Sequence, residues 1–192
     1  MGHGAEVELP HDEHDPFVKR IALCVAIYAV ILAIAGAGGK NAGKDMISEQ
    51  IEASNRWAQY QAKSVREAIY INDFEKYELE KEKGGMSPES ESKLVKSMER
   101  VKKKIEDYKK DKEEIKAKAE GHEAARDKAH KKDSYFDFAE LLLQIAIVLA
   151  SVAMLSKTRW SFLLSVALVA VGLLFTLNGY TLLIHIGFME GH

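Results

Sequence analysis

The sequence predicts an all-α membrane protein: three transmembrane helices, with a long antiparallel two-helix coiled-coil stalk between the first and the second. Three observations carry this prediction. The apolar residues of the 192-residue chain fall into three blocks of spanning length. The stretch between the first two blocks is densely charged and partly patterned at alternating steps of four and three. That stretch is broken once, near its middle, by a Gly-Gly-Met-Ser-Pro sequence.

Composition alone hides this organisation, because 47% hydrophobic and 29% charged residues would suit a soluble domain. Residues 40–133 hold 23 Lys+Arg and 21 Asp+Glu, a net charge of +2. Such a balance lacks the basic excess that nucleic-acid binding needs, so no nucleic-acid partner is expected. The single cysteine, Cys24, cannot form an internal disulfide.

Residues 1–17 form an acidic tail containing "HDEHD". His11 and His14 stand beside Asp12, Glu13 and Asp15, with His3 upstream. Histidine and carboxylate can ligate zinc or nickel, but no framework fixes their geometry here, and a solvated tail without metal is expected.

Residues 18–39 are the first transmembrane helix, since about 20 apolar residues at ~1.5 Å each cross a bilayer core. Lys19, Arg20 and the Ala33-Ile34-Ala35 triplet resemble a signal peptide, but the long acidic region before them reads as an uncleaved anchor. The span ends in "GGKNAGKD", residues 38–45, which imitates a phosphate-binding loop. Such a loop must follow a short buried strand and continue into Ser or Thr. Here a helix-length run precedes it, and Asp45 follows Lys44. No nucleotide and no other cofactor is expected. Gly39 and Gly43, with Ala35, repeat every four residues and permit close helix contact. Gly36, Gly38, Gly39 and Gly43 together are a candidate hinge.

Residues 40–134 are the helical hairpin stalk, with its tip at 84–88. Gly84 and Gly85 suit a helix end, and Ser87 followed by Pro88 suits the next start. In the second arm Leu94, Met98, Val101, Ile105 and Tyr108, then Ile115 and Ala119, make a heptad seam that weakens at His122 and Arg126. In the first arm Ile47, Ile51, Ala58, Val65, Ala68 and Leu79 are expected to share the matching seam. Trp57, Tyr60, Tyr70, Phe74 and Tyr77 fall outside it, as a second strip suited to another subunit.

Residues 135–155 are the second transmembrane helix, 156–159 a tight turn, and 160–188 the third transmembrane helix. Asp137, Glu140, Gln144 and Ser151 share one helix face at the start of the second span. They are candidates for an ion or proton pathway, or for polar contacts between helices; the first two also suit the headgroup region. Asn178 and His185 are candidates for hydrogen bonds across helices. No Ser-His-Asp set, Cys-His set or paired metal motif is present in the sequence, and no enzymatic activity is expected.

Lys157 and Arg159 in the short turn, with Lys19 and Arg20, place the N-terminus in the cytoplasm and the stalk outside. Lys40, Lys44, Lys131 and Lys132 oppose that orientation. The small residues of the first span and the uncovered apolar residues of the stalk favour a homo-oligomer.

This layout, together with "NRWAQYQAKSVRE" at 55–67, resembles an uncharacterised bacterial membrane-protein family described as a domain of unknown function. The resemblance covers residues 15–187. It implies a bacterial inner (cytoplasmic) membrane location and brings no ligand or catalytic residue. The expected function is a structural or scaffolding protein of the lipid bilayer that self-assembles through its spans and stalk and presents the stalk to a protein partner. The alternative is a small homo-oligomeric channel or transport component with its polar face on the second span.

Overall fold

The computed structural model describes residues 16–184, and these form three helices. Helix α1 runs Pro16–Lys83, α2 runs Pro88–Ser156 and α3 runs Arg159–Thr181. Each contains a stretch long and apolar enough to cross a membrane. Helix α1 has 68 residues and α2 has 69. Helix α1 continues past the end of its apolar stretch, and α2 runs unbroken into the start of its own, because neither sequence holds a proline there. The histidines of the tail and His185 lie outside the described residues.

The loop between α1 and α2 is built by two glycines and a serine. Gly84 and Gly85 take φ of +65° and +80°, where a β-carbon would be strained. Ser87 Oγ accepts from the Ser90 backbone N–H at 3.3 Å, capping α2 at Pro88. Helix α3 ends at Leu182, whose φ is +51°. The Asn178 amide then grips the backbone of Ile184 at both ends. Asn178 Nδ2 donates to its carbonyl at 2.8 Å, and Oδ1 accepts from its N–H at 2.9 Å. Asn178 was expected to reach another helix; it holds its own chain's exit instead. Tyr135 of α2 donates to the same carbonyl at 2.9 Å.

The chain divides into two compact units, residues 1–44 with 129–192, and residues 45–128. In the first unit the core is made mainly of small residues. Helix α2 contributes Ala139, Leu143, Ala146, Ala150 and Ala153, all fully buried and spaced four and three apart. Helix α3 answers with Ser165, Val169, Gly172, Thr176 and Gly179 at the same spacing. Small side chains let helix backbones approach closely, which is how apolar helices associate where the surroundings are equally apolar.

One aromatic side chain joins all three helices of this unit. A β-carbon on Gly38 of α1 would lie 2.5 Å from the Phe136 ring, and one on Gly179 of α3 would lie 2.9 Å from it. The buried Phe136 ring therefore fills two notches that only glycine leaves open, and Tyr180 packs edge-on against it at 4.9 Å. Helix α1 runs unbroken through Gly36, Gly38, Gly39 and Gly43, the candidate hinge. All four turn toward α2 and serve packing.

In the second unit α1 and α2 lie antiparallel, since Glu49 meets His122, Lys63 meets Asp111 and Tyr70 stacks on Tyr108. The α2 residues expected as a seam are covered: Leu94 and Ala119 are buried, and Met98, Val101, Ile105, Tyr108 and Ile115 are half-buried. Helix α1 turns a different face to α2 from the one its aliphatic spacing predicts. Ile47, Ile51, Val65 and Leu79 are all more than half exposed, and Ala58 and Ala68 are exposed too. Trp57, Tyr60, Tyr70, Phe74 and Tyr77, expected to face outward, are the half-buried ones. Hydrophobic spacing picked the aliphatic stripe; the tertiary contact uses a stripe of aromatic and polar residues that aliphatic counting passes over.

Once that stripe is identified, one repeat describes each long helix. On α1 the residues Ile21, Tyr28, Ala35, Ala42, Glu49, Arg56, Lys63, Tyr70 and Tyr77 are seven apart, and every one is buried or half-buried. On α2 the same holds for Leu94, Val101, Tyr108, Ile115, His122, Ala129, Phe136, Leu143 and Ala150.

Gly38→Ala is expected to cost about 1–3 kcal/mol, because backbone and ring must part. In a Phe136→Leu background, where the ring is gone, most of that cost should disappear. Thermal unfolding of the four detergent-solubilised variants checks this; equal costs in both backgrounds would contradict the notch.

Candidate functional site

Two places gather the chemistry-bearing side chains, one in each unit. In the first unit the site is a carboxylate edge of α2 laid on the glycine face of α1. Glu140 Oε1 lies 3.2 Å from where a β-carbon on Gly36 would stand and 3.4 Å from that on Gly39. Asp133 Oδ1 stands 3.6 Å from the corresponding point on Gly43. Asp133 and Glu140 are seven apart, each four residues past a repeat position, so one helix edge carries both onto the glycines. Burial pushes the Asp133 carboxyl above the usual carboxylate range; the neighbouring Asp137 adds to this and His130 opposes it.

The four candidate pathway residues are not gathered into one lining. Asp137 and Gln144 are exposed, while Glu140 turns in toward α1. Ser151 spends its hydroxyl on the Ile147 carbonyl of its own helix, at 2.9 Å. Among the described residues, no group of three or more His, Cys, Asp or Glu side chains is placed to hold a metal ion.

In the second unit the site is the polar stretch of the α1–α2 contact. Lys63 of α1 pairs with Asp111 of α2 at 2.5 Å, and Lys112 of α2 pairs with Glu67 of α1. The two bridges run in opposite senses. Lys63 Nζ also stands 5.0 Å from the centre of the Tyr108 ring, and Lys112 Nζ 5.4 Å from that of Tyr60. Tyr70 stacks on Tyr108 with centroids 5.6 Å apart. Further along, Trp57 Nε1 donates to Glu123 at 2.8 Å, His122 Nδ1 lies 2.6 Å from Glu49, and Arg126 donates to Gln50 at 2.8 Å.

The Glu67–Lys112 pair is the most enclosed of these, with side chains 8% and 18% exposed. The hydrogen bond to Glu67 holds the Lys112 ammonium above the usual lysine range; burial opposes it, and the Glu67, Tyr60 and Glu113 charges add to it. A lysine raised in this way contributes stability that is complete below the ordinary lysine range and is lost as pH rises through its folded value. None of these cross-helix pairs was identified from sequence. The signal was present: counting by seven from Tyr60 or Tyr70 reaches Glu67 and Lys63 directly.

The profile of the family described as "Domain of unknown function (DUF4337)" matches residues 17–182. The chain belongs to the DUF4337 family. The match takes in all of α3 and nearly all of α1, and both polar sites lie inside it. No curated protein and no solved structure is similar enough to match. The DUF4337 description carries no activity, so the chemistry of these sites stands on their geometry.

Removing one partner of an enclosed ion pair strands the other charge. Lys112→Met is therefore expected to destabilise by about 1–3 kcal/mol, with the Glu67→Met/Lys112→Met pair recovering most of the loss. Denaturant unfolding followed by helicity tests this. A double variant no better than the single would show that the pair does not act across the seam.

Proposed function

We propose that this DUF4337 protein is a structural or scaffolding component of a bilayer that self-assembles. The α1–α2 hairpin of its second unit would pack as a coiled coil and present its charged α2 surface to a protein partner. The observation that carries self-assembly is Gln144. It lies deep within the apolar stretch of α2, exposed, in a row with Leu141, Val148, Val152 and Leu155. An amide facing hydrocarbon leaves donors and acceptors without partners, and a second copy supplies them. Presentation of the hairpin is supported by the outward side of α2, where Lys102, Lys103, Lys104, Glu106, Lys109 and Lys110 are all exposed.

The reading includes a bacterial inner membrane, with the N-terminus and the turn bearing Lys157 and Arg159 on the cytoplasmic side and the hairpin outside. A second reading, a small homo-oligomeric channel or transport component, is favoured by Asp137 and Gln144 lying exposed on one side of α2. Ion conductance in reconstituted bilayers separates it from the first.

Native mass spectrometry of the detergent-solubilised chain is expected to give a discrete oligomer. Gln144→Leu should shift it toward smaller species, since one interhelical polar contact is worth roughly 0.6–2 kcal/mol. A monomer at every concentration would contradict self-assembly.

A further inference from the structure

One face of α1 in the second unit lacks both the charge that marks the outside of α2 and the cover that marks the seam. Ile47, Ile51, Ser54, Ala58, Ala62, Val65 and Ile69 follow one another along it, and all seven are exposed. No member of this row is charged. The outward face of α2 in the same unit, by contrast, is largely lysine and glutamate. A surface that water alone covers has no cause to differ so sharply between two helices of one hairpin. An ionic partner would also leave charge here to meet it.

The row is also symmetric. Its steps are four, three, four, four, three and four, and they read the same in both directions from Ala58. Ile47 mirrors Ile69, Ile51 mirrors Val65, and Ser54 mirrors Ala62, so that large residues stand at both ends and small ones at the centre. Two like helices that cross come closest at one point and diverge equally on either side. Small residues belong at the crossing, and larger ones fill the widening gap beyond it. A two-fold contact presents the same patch on both copies, so a row with large ends and a small centre fits a crossing of two copies at its middle.

We propose that this stripe is the contact between two copies of the chain, parallel, with the two α1 helices crossing at Ala58. The proposal rests on the self-assembly reading and assigns it a face and a register. In the parallel arrangement each residue of the stripe meets its own equivalent, Ala58 against Ala58. The contact is small. Its length of about 33 Å and a helix width of about 10 Å give roughly 330 Å², against the ~800 Å² per partner of a standard interface. Pairing here therefore depends on copies already confined to one membrane, where linkage raises the effective concentration. The full chain is accordingly the form to test.

The test is cysteine crosslinking in a Cys24→Ser background, with a short thiol crosslinker on the membrane-embedded full chain. Ala58→Cys and Ile51→Cys are each expected to give a band of doubled mass, while Lys103→Cys on the outward face of α2 stays single. Native mass spectrometry of the same variants distinguishes the failures. An intact oligomer with no crosslink at position 51 or 58 would overturn this face and leave self-assembly standing. Crosslinks that form only when Ile51→Cys and Val65→Cys chains are mixed would overturn the parallel arrangement in favour of an antiparallel one. A monomer throughout would overturn the self-assembly reading itself.

Discussion

A seven-residue repeat that keeps step along each long helix is the constraint on which the rest depends. From Ile21 to Tyr77 on α1, and from Leu94 to Ala150 on α2, every seventh residue is covered. A helix can keep one face against a neighbour over many turns only if its contact residues hold such a period. Within this period the residue types change completely. Small and apolar residues fill it in the first unit, where Ala35, Ala42, Phe136 and Leu143 are buried. Charged and aromatic residues fill it in the second, where Glu49, Lys63, Tyr70, Tyr108 and His122 take its positions and the enclosed Glu67–Lys112 pair lies beside it.

The two chemistries do different physical jobs. Alanine and glycine faces confer close approach, and their specificity comes from shape, as at the Phe136 ring between Gly38 and Gly179. A polar seam adds less net stability, because each charge must first leave water. Its contribution is register: sliding the hairpin by one heptad would break the Glu67–Lys112 and Lys63–Asp111 pairs together and leave four partly enclosed charges unmatched.

Much of this was legible in the sequence, for identifiable reasons. The three apolar stretches announce themselves by length, and the tip by Gly84, Gly85 and Ser87. The α2 seam is aliphatic from Leu94 to Ile105, so periodicity finds it. On α1 the aliphatic residues misled, because Ile47, Ile51 and Val65 keep a good spacing on the face turned away from α2. The covered face offers Tyr60, Lys63, Glu67 and Tyr70, which look like surface residues until their cross-helix partners are known. The glycines near residue 40 were readable as contact formers. That Gly38 receives a phenylalanine and Gly36 a glutamate depends on where α2 lies, which no local pattern encodes. The grip of Asn178 on Ile184 was hidden for the same reason.

Zero-length carbodiimide crosslinking followed by peptide mapping reads the register of the α1–α2 contact, because it joins only amines and carboxylates already in contact. Lys112 is expected to be joined to Glu67, and Lys63 to Asp111. Lys112 joined instead to Asp73 or Glu75, about one heptad away, would contradict that register.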